Sequence, residues 1–140
     1  MVDVGVNHGQ FLHLARRVWP EARLVGIEPN AAIAAKIAAI YAGDERVRIE
    51  ACAAGARDGE ASLFVTRDDQ SSSIHAPTDA YHDDRENDGV VRTDTVPLRR
   101  LDGLLAGCAG PMLLKIDVQG AELEVLQGAV ESLAKTDVAI

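Results

Sequence analysis

The 140-residue sequence predicts an α/β fold, a doubly wound and mostly parallel sheet covered on both faces by helices. Short apolar runs alternate with one-faced helical patterns, the first run ends in a glycine-spaced turn, and two later runs end in an acid. Near-continuous apolarity within the runs, rather than alternation, marks strands buried on both faces.

The elements follow in order. Val2 to Val4, Leu24 to Ile27, Val47 to Ile49, Met112 to Ile116 and Val138 to Ile140 read as strands. Between them Phe11, Leu14, Ala15 and Val18 recur at helical spacing, as do Ile33, Ile37 and Ile40, and later Leu123, Leu126, Val130 and Leu133. Pro20 closes the first helix, Pro29-Asn30 opens the second with Gly43 as its stop, and Gly120 precedes the third. Right-handed crossovers then place the first strand centrally, in the order 3-2-1-4-5 counted over these runs. Between the third and fourth runs, Ala61 to Val65 and Thr93 to Leu98 read as an inserted hairpin around an acidic loop at about 66–92. From Asp68 to Asp94 eight acids stand against two bases with no apolar periodicity, which suits either a solvated disordered loop or a lid that orders over a substrate.

Length and composition give a single domain, residues 1–140, with its own core. No apolar run approaches 18 residues and no signal peptide opens the chain, so the expectation is a soluble cytoplasmic protein with no membrane partner. A net charge of −8 disfavours nucleic acid, whose binding rests on Lys and Arg at phosphates. Cys52 and Cys108 lack C-x-x-C spacing, and His8, His13, His75 and His82 lack ligand spacing, so no metal is expected.

The chemistry lies at the ends of the runs. In Val2-Asp3-Val4-Gly5-Val6-Asn7-His8-Gly9 a strand passes through a turn into a helix, with Gly5 free to take φ > 0 and Gly9 open to close approach by a ligand. A dinucleotide fingerprint needs G-x-G-x-x-G, but Asn7 stands at the second glycine, which weakens a pyrophosphate reading. S-adenosylmethionine has no phosphate and an amino-acid end that asks for polar anchors such as Asp3 and Asn7. Glu28 ends the second run about 20 residues after the turn, where a ribose-binding acid sits; capping of the next helix is the plainer alternative. Asp117 ends the fourth run and should emerge beside Asp3 and Gly5 at the sheet's carboxyl edge. Glu122 falls in the next helix's first turn, either as a dipole partner or as a substrate contact, and Lys115 suits an ion pair as well as a substrate contact.

The sequence resembles the FkbM-type methyltransferases, class I enzymes that use S-adenosylmethionine. The resemblance rests on V-D-V-G-V-N-H-G-Q-F, V-G-I-E-P-N, A-C-A-A-G-A-R-D-G-E-A-S-L-F-V, the run Ser71 to Ile74, T-V-P-L-R-R-L-D and K-I-D-V-Q-G-A-E-L-E-V-L-Q-G-A, in order over nearly the whole chain. It implies a Rossmann-like fold and methyl transfer to a hydroxyl of a sugar or secondary metabolite, so a small-molecule or glycan acceptor. Asp3, Gly5 and Asn7 match the cofactor turn, Glu28 the ribose acid, and Ala53-Ala54 the segment beside the adenine; Gly9 and Pro29 complete the expected cofactor contacts. Asp117 is the first candidate for the base and His75 the second, with Ser73 and Glu122 toward the substrate. Gln119 stands where many members carry Glu. Such sheets have seven strands, the last two antiparallel; this chain starts on the first strand and ends inside the fifth. It is therefore expected to be truncated at both ends, or to cover its exposed edge with a second copy. A cofactor-binding module without catalysis and an NAD-dependent oxidoreductase are the alternatives.

Overall fold

The computed structural model describes residues 1–67, 72–76 and 89–140. In chain order the elements are β1 (Val2–Val4), α1 (Gln10–Val18), β2 (Leu24–Ile27), α2 (Ala31–Ile40), β3 (Val47–Glu50), β4 (Ala53–Ala54), β5 (Gly59–Thr66), β6 (Val90–Arg99), α3 (Leu101–Leu104), β7 (Leu113–Ile116), α4 (Glu122–Gln127), α5 (Val130–Leu133) and β8 (Val138–Ala139). The main sheet runs β3-β2-β1-β7-β8 with every pair parallel, which is the predicted strand order. A smaller sheet, β4-β6-β5, holds the inserted hairpin as the antiparallel pair β5 and β6. Its third strand, β4, is too short to announce itself in the sequence. Of the acidic loop, 68–71 and 77–88 lie outside the described residues, and the choice between disorder and lid lies there too.

Helices cover both faces of the main sheet. On one side Val2, Val4, Val25, Ile27 and Leu114 pack against Leu101, Leu105, Val125 and Ala129. On the other, Leu12 and Ala15 of α1 and Ile33 and Ile37 of α2 meet Val6 and Leu24. Strands β1 and β2 are buried throughout, Asp3 included, as a sheet covered on both faces requires. No helix among the described residues is long and apolar enough to cross a membrane.

Two helical faces differ from the sequence reading. In α1 the buried residues are Leu12 and Ala15, while Leu14 and Val18 are exposed. The strand beneath sets this rotation: a Cβ on Gly26 would lie 2.8 Å from Leu12 Cδ1, so the missing side chain in β2 is the slot that Leu12 fills. The predicted third helix is two short helices, α4 and α5, with Leu123, Leu126 and Val130 exposed. Ala121, Val125 and Ala129 form the buried row instead. Small residues win there because the backbones come close: a Cβ on Gly128 would lie 2.0 Å from the Gly55 carbonyl oxygen.

Candidate functional site

The carboxyl ends of β1, β2 and β7 converge on one cavity of about 300 Å³, at the low end of the range for small-molecule sites. The β1 to α1 turn forms its floor. Gly5 has φ +83°, and a Cβ there would lie 1.9 Å from the Asp117 carbonyl oxygen, so glycine is what lets the tips of β1 and β7 touch. Asp117 N donates to the Val4 carbonyl at 3.0 Å, and Gly5 N and Val6 N both donate to the Ile27 carbonyl, which ties the three tips together.

Glu28 closes the gap between two turns. It is 7% exposed; one carboxylate oxygen accepts from Asn7 N at 2.9 Å and the other from Asn30 N at 2.8 Å. It does not cap α2, because Asn30 does so, accepting from Ala32 N and Ile33 N. Asn7 holds φ +50°, a left-handed conformation within the turn whose N–H donates to Glu28.

Asp3 sits deeper. It is fully buried, its Oδ1 accepts from Lys115 Nζ at 3.0 Å, and its Oδ2 has no hydrogen-bond partner. Burial raises its pKa above the ordinary aspartate value, with Lys115 pulling the other way. Asp3 lies behind the cavity lining, and the side chain that reaches the cavity is Lys115. Lys115 and Asp3 are direct partners in the β1–β7 register, so both point to the same face. The Lys115 ammonium is also 3.4 Å from the Gly5 carbonyl, 3.6 Å from Asp117 Oδ2 and 5.7 Å from the centre of the Phe11 ring.

Asp117 lies at the cavity edge, with Oδ1 accepting from Gln119 Nε2 at 3.0 Å. Gln119 is held at φ +57° and its carbonyl accepts from Ser73 Oγ at 2.8 Å. Ser73 itself bridges Phe64 of β5 through both backbone groups. The segment 72–76 therefore spans from the small sheet to the β7 tip along one wall of the cavity. Cys52, Ala53 and Ala54 form the opposite wall, next to Pro29. Burial, with the neighbouring Glu50 charge, pushes the Cys52 thiol up to about 11, which leaves it protonated and unreactive.

Gly5, Asn7, Glu28, Pro29, Ala53, Ala54, Ser73 and Asp117 thus share the cavity. Four predicted site residues do not line it: Asp3 stands behind the lining, and Gly9, His75 and Glu122 fall elsewhere. Gly9 packs against α2: a Cβ there would lie 2.9 Å from Ile37 Cδ1, so its bareness serves helix packing rather than a ligand. His75 is exposed and pairs with Glu124 of α4 at 3.2 Å, away from the cavity. Glu122 folds back on its own turn, accepting from Val118 N and Gly120 N. Burial opposes its charge, but those backbone donors outweigh it and hold the carboxyl below its ordinary range. Lys115 and Gln119 are the cavity residues whose place sequence reasoning did not settle. A charged residue inside an apolar strand, two positions before Asp117, was the available signal.

The comparisons agree with this fold. The family model described as the methyltransferase FkbM domain matches residues 3–140. The 2-O-methyltransferase NoeI of Sinorhizobium fredii is 29% identical over 147 residues, covering 97% of this chain and 59% of its own length. The chain therefore spans about three-fifths of that relative. Methyltransferase FkbM from Methylobacillus flagellatus superposes with a TM-score of 0.62 at 20% identity, over 96% of this chain and 29% of the solved one, which speaks for the fold. A parallel sheet in this order, with its acids gathered at three adjacent tips and a family match over residues 3–140, makes the chain a member of the FkbM methyltransferase family.

Proposed function

We propose that this domain binds S-adenosylmethionine in the tip cavity and directs its methyl group to a hydroxyl oxygen of a sugar or other small metabolite. The observation that carries the reading is the charge of the site: carboxylates of Glu28 and Asp117 line the cavity with Lys115, and Asp3 stands behind. Carboxylates outnumber the ammonium, which favours a ligand of net positive charge and opposes a pyrophosphate. The residues fit the group. Glu28 is a nearly buried acceptor suited to vicinal hydroxyls, the small side chains of Ala53 and Ala54 leave a flat apolar wall for a base, and the β1 turn gives backbone access. Oxygen as the accepting atom is supported by the relative named a 2-O-methyltransferase.

When bound, the cofactor supplies an electrophilic methyl group, so the protein's share is placement. Glu28 and the Asn7 turn fix one end of the ligand. Ser73 and Gln119 hold the wall at the β7 tip, limiting water. Asp117, half-exposed at the cavity edge and oriented by Gln119 and Lys115, is placed to take the proton of an incoming hydroxyl. The measurement is isothermal titration of the protein with S-adenosylmethionine, S-adenosylhomocysteine and NAD. Micromolar binding of the first two and none of the third is expected; NAD binding, or no binding of either sulfur ligand, overturns the reading.

A further inference from the structure

Lys115 is the one cation among the described residues that line the cavity. Its ammonium has three donors but a single strong bond, to Asp3 at 3.0 Å; the contacts to the Gly5 carbonyl and Asp117 are loose, at 3.4 and 3.6 Å. Asp3 is fully buried and lies behind the lining, so it anchors the ammonium from below without competing for the open side. An anionic group entering the cavity meets Glu28 and Asp117 as repulsion and Lys115 as its partner.

We propose that Lys115 binds the carboxylate of the cofactor's methionine portion and so decides which way round the ligand lies between the tips of β1 and β7. The proposal rests on the reading of the cavity as a cofactor site. S-adenosylmethionine carries one anionic group and two cationic ones, and the cavity offers the reverse balance, one ammonium and two carboxylates. Matching the single anion to the single cation puts the methionine end at the tips of β1 and β7 and leaves Glu28 to the ribose end. The reverse orientation would bring the ligand carboxylate against Glu28, with no cation of the described lining beside it.

Decarboxylated S-adenosylmethionine, which lacks that one group, isolates the contact. Calorimetry on the wild-type protein should show S-adenosylmethionine bound about 10- to 150-fold more tightly than its decarboxylated form, the worth of a charge-assisted hydrogen bond. In Lys115→Met combined with Asp3→Asn, which removes the pair without stranding a buried charge, the ratio should fall to about one or below. Circular dichroism reports whether that variant keeps its fold. Lys115→Arg, which leaves Asp3 partnered, should retain part of the preference. A wild-type ratio near one, a preference that survives in the folded double variant, or its complete loss in folded Lys115→Arg each overturns the proposal. Failure of the wild-type protein to bind either ligand instead removes the cofactor reading beneath it.

Discussion

Replacing Lys115 by Met alone leaves the Asp3 carboxylate in the sheet without its cation, and the cost of this has a ceiling that the structure supplies. Asp3 is fully buried and its other oxygen already lacks a partner, so the stranded charge is relieved by protonation rather than tolerated. Holding a proton at pH 7 on a group whose ordinary value is 3.8 costs about 4.4 kcal/mol, at about 1.36 kcal/mol per pH unit. Part of that burden is already present in the wild type, since its pKa is raised, so the loss stays below that ceiling. The sign with pH follows. The folded state holds this proton more tightly than the unfolded chain, so its stability falls as pH rises from 3.8 to the raised value. Removing Lys115 raises that value further and widens the window upward. At pH 5 the ceiling is only about 1.6 kcal/mol, and the gap between wild type and variant should narrow accordingly. Urea unfolding followed by circular dichroism at both pH values measures it. A gap below about 0.5 kcal/mol at pH 7, or one that does not shrink on acidification, refutes the account of a buried carboxylate held by Lys115. Adding Asp3→Asn should restore most of the loss.

Glu28→Ala should weaken S-adenosylhomocysteine binding by about 1 to 3 kcal/mol through lost charge-assisted hydrogen bonds; an unchanged dissociation constant in calorimetry would confine Glu28 to joining the two turns. Gly5→Ala places a Cβ against the Asp117 carbonyl at φ +83°, so left-handed strain and a forced shift of β7 should together cost about 2 to 4 kcal/mol in urea unfolding. A loss within about 0.5 kcal/mol would mean that the tips separate freely.

The strand order was legible because the parallel strands are short, mostly apolar runs set between one-faced helical patterns, a signal that survives the charges at Asp3, Arg48 and Lys115. The strand-tip acids were legible for a related reason: a charge that ends such a run has to be handled at the sheet edge. Helix faces were less so. Leu14, Leu123 and Val130 are as apolar as Leu12 and Val125; the bare Gly26 opposite turns Leu12 inward, and the Gly55 carbonyl, which leaves no room for a side chain at Gly128, brings the end of α4 close. Gly26 and Gly55 lie outside α1 and α4, so a window along either helix holds at most half of the answer. Gly9 shows the same limit from the other direction. Its turn position suggested room for a ligand, but the neighbour that forbids a side chain is Ile37, almost thirty residues on along the chain. His75 and Glu122 were drawn toward the substrate by proximity in sequence to Ser73 and Asp117, yet each finds a nearer partner in Glu124 or the turn backbone.

In this site the groups offered to a ligand are the same ones that hold the tips together. Glu28 binds the turns after β1 and β2, and Lys115 bridges Asp3, Gly5 and Asp117 across β1 and β7. A ligand that engages them therefore adds constraints to contacts the fold already uses, and its binding energy appears as stability of the sheet edge. At a free ligand concentration a hundred times the dissociation constant that gain is about 2.7 kcal/mol. It should be concentrated at the tips of β1, β2 and β7, where hydrogen exchange of Gly5, Val6 and Asp117 amides reports it, and be weak in β5 and β6 away from the cavity. A uniform slowing of exchange across both sheets would instead mean that the ligand stabilises the domain as one unit, and the tips would lose their special standing.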